Sequence, residues 1–200
     1  MLTDLPNLLT LSRIASIPVL VLLVAFRSPG TDFAAAMLFA AAGITDYFDG
    51  RIARGRRQIS DLGRMLDPIA DKLLVGATLI LLAGQARLSA WGLYPAIVIL
   101  LREILVSGLR EYLAGLRVGL PVTALAKWKT GVQMGALGTL LAGDNSAALL
   151  HIPFLPVSTI GEIMLWAAAG LTLWTGWDYL TAGLHHATPS ASRSRAATDA

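Results

Sequence analysis

Long apolar stretches alternate with short polar ones along this chain, at about residues 8–26, 33–48, 67–86, 91–113, 124–142 and 159–180. Each is near the ~20 residues that an α-helix needs to cross the hydrocarbon of a bilayer. The pattern predicts an all-α, polytopic membrane protein with six transmembrane helices. Six spans take about 120 residues and leave about 80 for connections and tails, so a single compact helical domain is expected over residues 1–184. Residues 185–200 are rich in Ala, Ser and Thr and lack an apolar stripe, which predicts a disordered cytoplasmic tail. Asp4 precedes the first run, Arg13 interrupts it, and Arg27-Ser28-Pro29 is a poor cleavage site, so that run reads as a retained span and not a secretion signal. No internal repeat is visible.

Composition supports the pattern. Hydrophobic residues make up 55% of the 200 residues and charged residues 14%, against about 25% charged in soluble domains; the mean hydropathy is +0.64. There is no cysteine, and the three histidines are His151 in an outer connection and His185 and His186 in the tail. Disulfides, thiolate zinc sites and cysteine nucleophiles are thereby excluded, and any metal site must be built from oxygen. A net charge of +3 and a pI near 9.6 suit anionic lipid head groups or phosphorylated substrates, and the apolar bulk argues against nucleic acid.

Lys and Arg set the orientation, because cytoplasmic connections carry the excess. The second connection holds Arg51, Arg54, Arg56, Arg57 and Arg64, and the region of the fourth holds Arg110, Arg117, Lys127 and Lys129. The opposite connections hold only Arg27, only Arg87, and neither Lys nor Arg over residues 143–158. Both termini then face the cytoplasm. Trp128, Trp166, Trp174 and Trp177 read as interface anchors or packing residues.

The segment TDYFDGRIARGRRQISDLGRMLDPIADK, residues 45–72, places Asp46, Asp49, Asp67 and Asp71 at the cytoplasmic ends of two successive spans. Helical residues three or four apart share a face, so each Asp pair does too, and two antiparallel neighbouring helices can bring the pairs together. Four such carboxylates need compensation: two unit charges 4 Å apart repel by roughly 4 kcal/mol at an effective dielectric of 20. Two divalent ions would supply it, and carboxylate oxygen favours Mg²⁺ or Mn²⁺. A two-metal clamp is a device of phosphoryl chemistry. Gly50, Ala53 and Gly63 let a flat ring or a diphosphate approach the backbone, and Arg54 can donate a charge-assisted fork to phosphate oxygens.

These positions match D-x2-D-G-x2-A-R-x8-G-x3-D-x3-D without gap or substitution, and the chain thereby resembles the CDP-alcohol phosphotransferase family. Eight fixed residues give a chance match on the order of 10⁻¹⁰ per starting position. The resemblance implies a six-helix membrane enzyme, usually a homodimer, that moves a phosphatidyl group from a CDP-linked lipid to an alcohol and releases CMP. Asp46, Asp49 and Asp67 would be the main metal ligands, and Asp71, also a ligand, would accept the acceptor's proton. Residues 5–14, 101–114 and 126–134 look like segments of bacterial members that use CDP-diacylglycerol and glycerol 3-phosphate, which implies the bacterial inner membrane with the site facing the cytoplasm. Another acceptor, such as inositol phosphate or serine, stays open. An ion-coupled transporter is the rival from another class, and an Arg beside the acids argues against it.

A phosphorylated acceptor needs cations beyond the metals, and Arg110, Lys127 and Lys129 are the candidates; as topology charges they have an ordinary explanation as well. Arg56 and Arg57 read as topology or lipid-surface residues. Arg102 and Glu103 lie mid-span and read equally as a structural ion pair or as site residues. Asn7, Thr10 and Arg13 near the start of the first span could line the site or cap the helix.

Overall fold

The computed structural model describes residues 5–56, 61–115 and 124–187. The expected six helices are all present: α1 (Leu5–Ala25), α2 (Pro29–Arg56), α3 (Asp61–Gly84), α4 (Leu93–Gly115), α5 (Ala124–Leu149) and α6 (Val157–Ala187). Several run beyond their apolar stretches. α2 continues through the arginines to Arg56, and α6 carries His185 and His186 in its last turn, where a tail had been expected. Helical hydrogen bonding persists past the apolar limit because it satisfies the backbone in either solvent.

α5 packs against α2 and α6, α4 against α6, and α1 lies along both α2 and α3. The interior is built from Leu and Ala: Leu20 and Val24 of α1, Phe39 of α2, Leu74 and Leu82 of α3, Leu137 and Leu140 of α5 and Leu165 and Ala168 of α6 are all essentially inaccessible. Small residues bring α5 and α6 close, and a methyl group placed on Gly161 would come within 2.7 Å of Leu140 Cγ. Large apolar side chains also cover the outside, with Leu22, Ile80, Leu101, Ile163 and Trp174 all more than half exposed. An apolar surface around an interior holding Thr, Arg and Lys suits lipid as solvent. Thr78 and Thr139 return their hydroxyls to their own helices, to Leu74 O at 2.8 Å and Gly135 O at 2.7 Å. By length and composition alone, α1 (Asn7–Ala25) and α6 (Val157–Thr181) qualify as spans. The remaining helices fall short of that measure, with charges such as Lys72, Arg102, Glu103 and Lys129 inside them.

The end of the bundle remote from the aspartates is tied by polar contacts. Arg87, in the α3–α4 connection, pairs with buried Asp32 at the start of α2 and donates to Leu141 O of α5 at 2.7 Å. Ser89 Oγ donates to Glu162 of α6 at 2.8 Å. Arg87 is thus a fastening between helices as well as a charge on a connection. Gly143, at φ 61° and ψ 178°, breaks α5 just after Ala142, where the apolar run ends. This backbone lies in the left-handed range that only glycine adopts without strain.

Candidate active site

α1 contributes more than a span. Asn7, Thr10 and Arg13 recur every three residues, so they form one polar stripe on a largely apolar helix, and all three are at most 2% exposed. A guanidinium so deeply buried needs an anion. Arg13 Nη1 lies 2.6 Å from Asp46 Oδ1 on α2, and Thr10 Oγ1 donates to Asp67 Oδ1 on α3. Both contacts favour the lining role over helix capping.

This changes how the two halves of the aspartate segment meet. They were expected to converge because α2 and α3 are direct neighbours. Among the described residues these helices make no extended contact, and α1 lies between them, holding one acid from each. The buried polar stripe of α1 reaches both sides, Arg13 toward Asp46 on α2 and Thr10 toward Asp67 on α3.

Asp71 lies one turn beyond Asp67 on α3 and is largely buried, within electrostatic range of Asp46, Lys72, Glu103 and Arg13. Gly63 is buried and shares the face of α3 that carries Asp67 and Asp71 at four-residue spacing. Asp49, Gly50, Ala53 and Arg54 belong to the helical backbone of α2, whose continuity places Asp46, Asp49, Gly50 and Ala53 at three- and four-residue intervals. The side chains of Asp49, Ala53 and Arg54 and the surroundings of Gly50 lie outside the described residues.

Asp46, Asp71 and Arg13 open onto a cavity of about 1350 Å³ along the seam between α2 and α5. Its aspartate end also receives Arg110 and Lys127. Beyond them the walls are apolar, with Met37, Phe39 and Gly43 on α2 and Met134, Gly138 and Ala142 on α5. From Lys127 to Ala142 the seam is about 22 Å long, more than the ~15 Å of one hydrocarbon leaflet. Tyr179 of α6, buried and on the cavity wall, was missed in the sequence, where a Tyr closing an apolar run reads as an interface anchor.

Lys129 is placed apart from the other two cations expected to meet the acceptor. Residues two apart on a helix point about 200° from one another, so Lys127 and Lys129 cannot face the same space. Lys129 is 5% exposed, lies off the cavity wall and donates a hydrogen bond to Glu103 of α4. Glu103 also stands 3.8 Å from Lys72 Nζ and 3.5 Å from Arg102 Nη1. Arg102 in turn donates to Thr175 Oγ1 at 2.9 Å and sits 5.7 Å from the centre of the Tyr179 ring. Arg102 and Glu103 therefore take the ion-pair role.

Residues 3–174 match the sequence profile of CDP-alcohol phosphatidyltransferase. The chain belongs to the CDP-alcohol phosphatidyltransferase family. A protein of Rickettsia bellii is 46% identical over 179 residues, 90% of this chain and 94% of its own length. Proteins of Cereibacter sphaeroides, 37% identical over 211 residues, and Shigella flexneri, 39% identical over 181 residues, likewise cover 90% of this chain, and 96% and 94% of their own lengths. All three carry the name CDP-diacylglycerol–glycerol-3-phosphate 3-phosphatidyltransferase.

The site can be tested for the hard divalent cation expected of it. Among the described residues no three acidic or histidine side chains already stand together as a closed ligand set. Asp46 and Asp71 share the wall of one cavity within range of each other's charge, and Thr10 donates a hydrogen bond to Asp67, the next acid along α3 from Asp71. Carboxylates on one cavity wall, offering only oxygen, suit Mg²⁺ or Mn²⁺ and not softer metals.

Proposed function

We propose that this member of the CDP-alcohol phosphatidyltransferase family transfers the phosphatidyl group of CDP-diacylglycerol to glycerol 3-phosphate, forming phosphatidylglycerol phosphate and CMP. The observation that carries the reading is the cavity on the α2–α5 seam. One end combines carboxylates with two cations, as a charged diphosphate and a phosphorylated acceptor require, and the rest is an apolar trough long enough for an acyl chain. The names of the relatives agree with this donor and this acceptor.

Asp46, Asp49, Asp67 and Asp71 would hold two divalent ions, Mg²⁺ or Mn²⁺, whose chemistry is to neutralise the diphosphate and ease the departure of CMP. The chain's own groups do the rest. Asp71, on the cavity wall, takes the proton from the acceptor hydroxyl; that oxygen bonds to the phosphorus attached to diacylglycerol, and the bond from this phosphorus to the CMP oxygen breaks. Arg110 and Lys127 hold the acceptor phosphate by charge-assisted contacts. Arg54, Gly50, Ala53 and Gly63 receive the donor's diphosphate and base. Arg13 fixes Asp46 and Thr10 fixes Asp67, so two of the acids are oriented before substrate arrives.

All six helices cross the membrane in this reading, as a homodimer in the bacterial inner membrane, with the aspartates at its cytoplasmic face because the arginine-rich connections lie there. The test is CMP release by purified protein given CDP-diacylglycerol and, separately, glycerol 3-phosphate, inositol phosphate, serine or no acceptor. Release dependent on glycerol 3-phosphate is the expected result. Release with only another alcohol would overturn the acceptor, and no release with any would overturn the activity.

A further inference from the structure

Asp71 stands within electrostatic range of Lys72 and Lys129, two cations that the proposed chemistry does not use. Lys72 follows it on α3, Lys129 approaches from α5, and Arg102 lies on α4. All three converge on one carboxylate. Glu103 accepts a hydrogen bond from Lys129 and lies 3.8 Å from Lys72 Nζ and 3.5 Å from Arg102 Nη1. Its side chain is 12% exposed and that of Lys129 only 6%. Neither charge can be left to water, so each depends on its neighbours.

The second carboxylate whose charge Lys129 senses is Asp71 itself. A lysine is a compact charge on a flexible four-carbon stem, so a buried ammonium deprived of its partner turns to the next available anion. With Glu103 neutral, Lys72 and Lys129 would lose that compensation beside the carboxylate meant to receive a divalent ion.

We propose that Glu103 is a positioning residue for the carboxylate site: it draws Lys129 and Lys72 toward α4, keeps their ammonium groups off Asp71, and so leaves Asp71 open to a divalent cation. The inference rests on the metal-dependent transfer proposed above. It predicts that metal affinity follows the net charge of the cluster. Glu103→Gln adds one positive charge to the surroundings of Asp71, whereas Glu103→Gln with Lys129→Met removes one charge of each sign and restores the original balance.

The experiment is Mn²⁺ binding by the purified full chain in detergent, read from the paramagnetic resonance of free Mn²⁺ without substrate or turnover. Glu103→Gln is expected to raise the Mn²⁺ Kd at least about tenfold, and the double variant to return it to within about threefold of the unaltered protein. Glu103→Gln binding like the unaltered protein, or a folded double variant binding no better than the single one, would overturn the proposal. Should Glu103→Gln fail to fold, the double variant carries the test, because it leaves neither partner of the Lys129 pair buried alone; a Kd well outside that range then refutes the proposal. If the unaltered protein binds no Mn²⁺, the metal-dependent reading itself fails and the inference falls with it, an outcome the unaltered protein alone reveals.

Discussion

Lys127 and Lys129 are two residues apart on α5 and should fail in different ways when truncated. Lys127 is exposed on the cavity wall with Arg110. A charge-assisted contact is worth about 1.5–3 kcal/mol, and exposure places Lys127 at the low end, which is about tenfold in acceptor affinity. Its stability cost should stay within about 0.5 kcal/mol. Lys129 is buried against Glu103, and breaking such a pair costs about 3–5 kcal/mol. Lys72 and Arg102 remain near Glu103, so a cost of roughly 2–3 kcal/mol is more apt, equivalent to a Tm lower by about 5–10 °C in a chain of this size. Steady-state rates with labelled glycerol 3-phosphate at saturating CDP-diacylglycerol, with thermal unfolding in the same detergent, separate the cases. Lys127→Ala should raise the acceptor KM at unchanged Tm, and Lys129→Ala should lower Tm. If both variants moved the same quantity, or if Lys127→Ala left the acceptor KM unaltered, the assignment of opposite faces would be wrong.

Exhaustive chelation should abolish CMP release and Mg²⁺ or Mn²⁺ should restore it; turnover surviving chelation would remove the metals from the mechanism. Asp71→Asn should fold and still bind the CDP-lipid, yet lose about 10²- to 10⁴-fold in kcat, since an amide cannot take the acceptor's proton; near-normal kcat at saturating metal would reassign the base. Gly161→Ala should destabilise the α5–α6 contact by about 1–3 kcal/mol, because its methyl would meet Leu140 at 2.7 Å and the Leu140 backbone nitrogen at 3.2 Å; an unchanged Tm would show that the two helices can separate freely.

The six helices were legible because apolar runs of spanning length are a local signal, and even the break in α5 falls where the fifth run stops. Their ends were less so, since nothing in the water-facing part of α2 or α6 forces the backbone to leave the helix. Within the site, Asp46 and Asp71 could be read from spacing on a single helix each. The partners of Thr10 and Arg13 could not: Thr10 meets Asp67 across 57 residues, and no periodicity encodes that pairing. Lys127 and Lys129 were grouped by charge and nearness in sequence, although helical geometry already sets them on opposite sides. Glu103 was ambiguous for a related reason, as a mid-span acid can be read correctly only when the cations around it are known.

The fastening at Arg87 makes a pivot of the end of the bundle remote from the chemistry. It holds Asp32 of α2 and the backbone of α5 at Leu141, while Asp46 and Lys127 of the proposed site lie toward the opposite ends of the same two helices. From Asp32 to Asp46 the lever arm is about 21 Å, so a tilt of only about 3° at the pivot shifts Asp46 by about 1 Å. A misplacement of that size can cost a hundredfold in rate. Loosening Arg87 would thus cost more than the stability lost by leaving Asp32 buried alone: it would also misalign the carboxylates, at a distance that no direct contact spans.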